Sequence, residues 1–129
     1  MSQQQVEVLR RGYEAFNRGE LLVEFVDPDF EGDLPEVGLG LPPVRGPEGL
    51  RGWFVAVREI WDDFRLDPQE FIDVDAEHVV VAVRLRARGK LSAVPIDEPF
   101  FNVWTFRGNR ALRVELQPTR AAALAAAGK

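Results

Sequence analysis

"PFFNVWTFRGNRALRVELQP", residues 99–118, holds two runs of alternating apolar residues around a Gly-Asn pair, which is the pattern of a β-hairpin. In the first run Phe100, Asn102, Trp104 and Phe106 share one face, and Phe101, Val103, Thr105 and Arg107 share the other. The faces of the second run depend on the turn. A three-residue Arg-Gly-Asn loop puts Leu112, Val114, Leu116 and Pro118 with the first set, and Arg113, Glu115 and Gln117 with the second. A two-residue Gly-Asn turn exchanges them, because a one-residue slip flips the face. The three-residue loop joins apolar to apolar and is the expected one. Asn102 then stands as a single amide among aromatic rings.

Upstream, "HVVVAVRLRARGK" (78–90) separates Val79, Val81, Val83, Leu85 and Ala87 from Arg84, Arg86 and Arg88. With "QEFIDV" (69–74), "VPIDEPFFNVWTF" (94–106) and "RALRVELQ" (110–117), it predicts four strands in series, joined by hairpin loops at "DAE" and "RGN", and so an antiparallel sheet. The N-terminal half reads as helices. "QQQVEVLRRGYEAFNRGE" (3–20) spaces Val6, Leu9, Tyr13 and Phe16 by three and four, with Gly19 as a stop. "LLVEFVDPDF" (21–30) predicts a short helical turn ended by Pro28. "PEGLRGWFVAVREIWDDF" (47–64) aligns Leu50, Phe54, Val57 and Trp61, with Trp53 and Ile60 beside them; so wide an arc implies burial on more than one side. The Gly- and Pro-rich stretch from Gly32 to Pro47 predicts a long loop or lid with one edge strand. Thr119 as N-cap and Gly128 as stop predict a short terminal helix.

Helices followed by a meandering sheet define an α+β fold in which one sheet face receives the helices. A curled sheet of this kind encloses a cavity beneath them. The opposite face carries Arg84, Arg86, Arg88 and Arg113 with Glu115, Phe101 and Val103, a mixture suited to a two-fold homodimer interface.

At 129 residues the chain fits a single domain, 1–129, able to bury roughly 65–70% of its unfolded surface. Cysteine is absent and no signal-peptide pattern occurs, so a cytoplasmic protein without structural disulfides is expected. No apolar run reaches the ~20 residues of a membrane span. A net charge of −5 and a pI near 4.9 argue against nucleic acid, which needs a basic footprint.

Taken in order, "YEAFNRGEL", "DPDFEGD", "RGPEGLRGWF", "DFRLDPQEFID" and "VWTFRGNRALRVEL" followed by "RAAALAAAG" resemble the SnoaL-like group of the nuclear transport factor 2-like superfamily, across nearly the whole chain. Ketosteroid isomerases and limonene-epoxide hydrolase belong to the same superfamily. The resemblance implies a cystatin-like α+β barrel: a cone of curved antiparallel sheet packed against three N-terminal helices, with a blind apolar pocket, in a homodimer. It implies Asp33, the last residue of "DPDFEGD", as the base. It also implies two oxyanion donors. The strand position falls on Asn102, and the helix-one tyrosine position falls on Gly12, one residue before Tyr13. Trp53 and Phe54 match the aromatic pair that closes an isomerase pocket. Leu116 stands where an epoxide hydrolase needs an aspartate, which disfavours that reaction.

The expected site is therefore catalytic Asp33 and Asn102, walled by Tyr13, Trp53, Phe54, Val83, Phe100, Trp104, Val114 and Leu116, which suit a small apolar ligand. His78 follows a turn and is expected to be exposed; Glu98 points inward if strand parity holds through Pro99. No phosphate-cradling Gly motif and no metal-ligand cluster is present, so no cofactor or metal is implied. Two functions stay open: a cofactor-independent isomerase or cyclase acting by proton transfer on an apolar carbonyl compound, and a binding or interaction module without turnover. A cone packed solid by its own aromatics is a third.

Overall fold

The computed structural model describes residues 2–34, 43–91 and 95–128. In chain order the elements are α1 (Ser2–Asn17), β1 (Val26–Gly32), β2 (Val44–Arg45), α2 (Gly46–Ile60), β3 (Trp61–Asp73), β4 (His78–Gly89), β5 (Pro95–Arg107), β6 (Arg110–Gln117) and α3 (Arg120–Ala126). The strands form one curved, open sheet in the order β2-β1-β6-β5-β4-β3, with α1 and α2 packed on its inner face. The expected class, α+β, holds.

Several expected details differ. The sheet is mixed rather than antiparallel, because β1 runs parallel to β6. Residues 26–32 form β1 and not a helical turn, so two helices precede the long strands instead of three, and α3 brings the described helices to three. Pro28 is tolerated in β1 because no registered pair spans it: the β1–β6 register jumps between Val26 and Glu31, so its missing N–H removes no ladder bond. The second long helix stops at Ile60, and Trp61 opens β3. Asp63, with φ of 52°, sits in the irregularity of the β3–β4 register between Asp62 and Arg65. Ile60, expected inside, is exposed.

The hairpin at 107–110 corrects the expected loop while keeping most of its consequence. Arg107 pairs with Arg110, which makes the turn a two-residue Gly108-Asn109, with Gly108 at a φ of 64°. Left alone, that turn would put Val114 and Leu116 on the wrong face. The register then shifts between Thr105 and Phe106, leaving Leu112 as the extra residue, so that Trp104 faces Val114 and Asn102 faces Leu116. Leu112 leaves the inner set, and Pro118 lies exposed beyond the end of β6; Leu112 lies with Thr105, Arg113, Asp29 and Glu31 around a groove of about 230 Å³.

The outer face is also less open than expected. α3 lies across it, so Val103 and Val80 are fully buried against Ala123 and Ala127, and Phe101 is half-buried at their edge. Thr119 caps this helix, accepting from Ala122 N at 3.1 Å, and Arg120 reaches Glu70 at 2.6 Å. Two arginines of the stripe pair with carboxylates: Arg84 Nε lies 2.5 Å from Asp97 and Arg86 lies 3.8 Å from Asp67. Among the described residues no helix is long and apolar enough to cross a membrane.

α1 is fastened at both ends. Near its start, Gln5 Nε2 donates to Ala76 O at 2.8 Å and to Gly108 O at 3.0 Å, bridging the β3–β4 and β5–β6 turns. At its end, Asn17 exchanges two 2.9 Å bonds with the backbone of Leu66 in β3. Arg58 of α2 donates to Phe16 O at 2.6 Å and lies over the Phe16 and Phe54 rings. Side chains in the middle of α1 are thus held at a fixed height above the sheet.

Candidate functional site

Tyr13 is the residue that this fastening aims. It lies one and two turns beyond Leu9 and Val6 on the inward stripe of α1, is 5% exposed, and points its hydroxyl at the inner face of β5. There Asn102 and Trp104, two residues apart on one strand, project to the same side. Asn102 Nδ2 donates to Tyr13 Oη at 2.8 Å and Trp104 Nε1 donates to the same oxygen at 3.0 Å. The Trp104 ring also meets Tyr13 edge-on, with ring centres 6.4 Å apart, and stacks on Phe30.

A phenol oxygen has two lone pairs, and both are engaged by these donors. Its own hydrogen has no acceptor among the described residues, and Asn102 Oδ1, buried beside it, has no donor. The amide can be turned over, since oxygen and nitrogen are assigned from the hydrogen-bond network. Turned, Asn102 Oδ1 would accept from Tyr13 and the NH2 would be left unspent. In either orientation this buried pair keeps at least one hydrogen-bond donor in reserve. Leaving such a group unsatisfied costs roughly 1–3 kcal/mol.

Burial pushes the Tyr13 phenol up to about 12, while the hydrogen bonds from Asn102 and Trp104 act in the opposite, smaller sense. The phenol therefore stays protonated across the physiological range. It is a donor, and not a base.

The pair borders a cavity of about 60 Å³. α1 contributes Leu9, Gly12, Tyr13 and Phe16 to its walls; the connection to β1 contributes Leu21, Leu22 and Phe25. Leu34 just after β1, Leu50 and Trp53 of α2, Leu66 of β3, and Asn102 and Trp104 of β5 are the other described residues in them. Phe16 and Trp53 stack with ring centres 5.5 Å apart and form one side. No carboxylate, imidazole or cationic side chain is among these lining residues.

Tyr13, Trp53, Asn102 and Trp104 thus meet around one space. Val83, Phe100 and Val114 are buried in the core outside this lining, and Phe54 and Leu116 are half-buried against that core. Asp33 is exposed and does not line the cavity; its amide donates to Val114 O at 2.9 Å. Alternation explains this, since Gly32 and Leu34 on either side of it are buried and half-buried. Glu98 keeps parity with Asn102, as the β4–β5 register is unbroken, yet it is exposed. His78 is half-buried and bonds Asp75 at 2.9 Å, so it is held in its turn. A lid in residues 35–42 lies outside the described residues. Among the described residues no group of three or more His, Cys, Asp or Glu is placed to hold a metal ion.

The sequence reading missed the apolar wall at Leu21, Leu22 and Phe25, which follows no helical or strand period. It also treated Tyr13 as a wall residue. The signal that would have found it is its place on the same stripe as Leu9, with a hydroxyl that burial obliges to find partners.

Helices packed over a curved, open mixed sheet give the α+β fold of the nuclear transport factor 2-like class. Within it, this chain belongs to the SnoaL-like domain family, whose model matches residues 9–114. A nuclear transport factor 2-like protein of unknown function from Burkholderia pseudomallei is similar in structure, with 25% identity, a TM-score of 0.78 and 95% of each chain covered. TerC, co-crystallised with polyporic acid, is 26% identical with a TM-score of 0.74, over 92% of this chain and 94% of that one. IdmH from Streptomyces antibioticus, provisionally assigned as a polyketide cyclase, shares the fold at 22% identity and a TM-score of 0.74, over 98% and 99% of the two chains. No curated protein sequence matches the chain.

Proposed function

We propose that this domain takes a small, neutral, apolar carbonyl compound into the cavity and hydrogen-bonds its oxygen to the Tyr13–Asn102 pair. The observation that carries the proposal is the unspent donor of that pair, buried at the end of an otherwise apolar space. A carbonyl oxygen satisfies it in either amide orientation. A carboxylate or ammonium ligand would enter without a countercharge, at a cost of several kcal/mol.

The enzymatic form of this proposal is an isomerase or cyclase. Removal of a proton from the carbon next to the carbonyl sends the C–H electron pair into a new C=C bond and charge onto oxygen. Tyr13 and Asn102 would stabilise that oxyanion; in an isomerase the proton would return at another carbon, and in a cyclase the enolate carbon would bond to a second carbonyl carbon of the ligand, whose C=O π pair goes to its oxygen and takes the proton there. Asp33 is the base under this proposal, and its carboxylate must then turn inward from its exposed position. The second reading, binding without turnover, is favoured by the lack of any proton acceptor among the lining residues. TerC, which holds polyporic acid, supports occupation of this fold by a small molecule.

Binding is read from the fluorescence of Trp53 and Trp104, which line the cavity, during titration with 2-butanone. Tyr13→Phe should weaken it by about tenfold, the worth of one hydrogen bond. Exchange of the ketone's α-hydrogens for solvent deuterium, followed by NMR, separates the two readings. Exchange that Asp33→Asn abolishes supports the isomerase or cyclase; binding with no exchange above the uncatalysed rate leaves the module. No binding at all would overturn the proposal.

A further inference from the structure

The cavity has an inner end and an outer wall. Tyr13, Asn102 and Trp104 are buried, whereas Gly12, Leu22 and Phe25 are half-buried and form a wall nearer the surface. Gly12 is out of place by helical preference, since glycine is the poorest helix former after proline and this one stands inside α1. Its surroundings explain it. A Cβ built at Gly12 would lie 3.2 Å from Cζ and 3.4 Å from Cε1 of Phe25, tighter than a methyl group and a ring carbon normally approach. The Phe25 ring therefore rests on bare helix backbone, one residue from Tyr13.

The backbone of Phe25 is not free to leave with its ring. Its carbonyl accepts from Ala111 N at 2.8 Å, and Val26 next to it is registered with Ala111 in the sheet. Movement is thus left to the side-chain torsions. The cavity of about 60 Å³ is well below the ~150 Å³ of an engineered apolar cavity that admits benzene.

We infer that Phe25, seated on the backbone at Gly12, sets the size of ligand this cavity accepts. A carbonyl compound of a few carbons fits beside the ring, and one that carries rings enters only when Phe25 swings off Gly12. This rests on the carbonyl-binding function proposed above, whose oxygen contacts, Tyr13 and Asn102, do not involve Phe25.

The test is a graded series of saturated ketones, 2-butanone, cyclohexanone and 2-decalone, titrated by tryptophan fluorescence excited at 295 nm against the wild type, Phe25→Ala and the milder Phe25→Leu, each checked for a cooperative melt. In the wild type 2-decalone should bind more weakly than 2-butanone. Phe25→Ala should raise the affinity for 2-decalone relative to that for 2-butanone by about tenfold or more, with Phe25→Leu between. Binding of 2-butanone with an unchanged size order in both variants overturns this inference alone. Failure of the wild type and both variants to bind any of the three overturns the carbonyl-binding function, and this inference with it.

Discussion

The hydroxyl of Tyr13 and the amide of Asn102 are 89 residues apart in the chain and 2.8 Å apart in space, and both are buried. This single bond connects the middle of α1 to the middle of β5. It also makes the state of the cavity's polar end measurable, because Tyr13 is the only tyrosine in the chain.

Phenolate absorbance at 295 nm therefore titrates Tyr13 alone. Its midpoint should fall near pH 12, against 10.0 for a solvated phenol. The sign for stability follows: a raised folded-state value means the contribution is complete below pH 10 and is lost as pH rises toward 12. That difference is worth roughly 3 kcal/mol at most. In urea unfolding, the stability gap between wild type and Tyr13→Phe should therefore shrink between pH 9 and pH 12. A 295 nm midpoint near 10 in the folded protein would show the phenol to be solvated.

Asn102→Leu removes the bond to Tyr13 and, with it, the orphaned Oδ1. The two changes oppose each other, so the loss of stability should stay within about 1.5 kcal/mol. The tyrosine responds in one direction only. Asn102 lowers the Tyr13 value, so its removal should move the 295 nm midpoint above that of the wild type. A midpoint that does not move would mean the bond does not form in solution.

Arg107 grips Asp27 with two bonds, at 2.9 and 3.1 Å, and reaches Asp29 at 2.9 Å. Its hydrogen bonds hold the Asp27 carboxyl below the ordinary 3.8. A depressed carboxylate contributes stability above its unfolded value and loses it as pH falls through the folded one. Arg107→Met should be less stable than the wild type at neutral pH and should converge with it under acid. Glu70 and Asp75 are lowered as well, by Arg120 and by the turn at Glu77 and His78, so the acid loss shrinks without vanishing. A constant gap between the two proteins across the acid range would dissociate the pair from the pH dependence.

Thr119→Ala deletes the N-cap of α3 at a cost of about 1 kcal/mol. α3 is only seven residues long, so the effect should concentrate there. Hydrogen exchange at Ala123 N, which donates to Thr119 O, should quicken more than exchange in β4 or β5. Uniform acceleration would mean that α3 opens only with the whole fold.

The hydrophobic period of β4 and β5 made the long strands and their inward faces legible, because alternation is a local property of the chain. β1 was not legible. Its partner β6 lies some eighty residues away and runs parallel, and Pro28 resembles a helix stop until the gap in its pairing is known. Val103 is a valine on an outward face, and only the arrival of α3 buries it. At the site, Asn102 stood out as an amide among rings, whereas the importance of Tyr13 depended on a hydroxyl whose partners come from another element. Phe25 and Leu22 belong to a connection with no period, and burial there is decided entirely by tertiary contact.

In the β5–β6 hairpin the short turn and the extra residue at Leu112 cancel, so what reaches Asn102 is an even count and not a particular length. Two backbones, one with a longer turn and a regular strand and the other with a shorter turn and one surplus residue, deliver the same side chains inward. A lineage can therefore exchange one for the other through a paired insertion and deletion, while either change alone would invert every residue beyond it. A one-residue change at this tip would turn Val114 and Leu116 away from Trp104 and Asn102, whereas a compensated pair of changes keeps them facing.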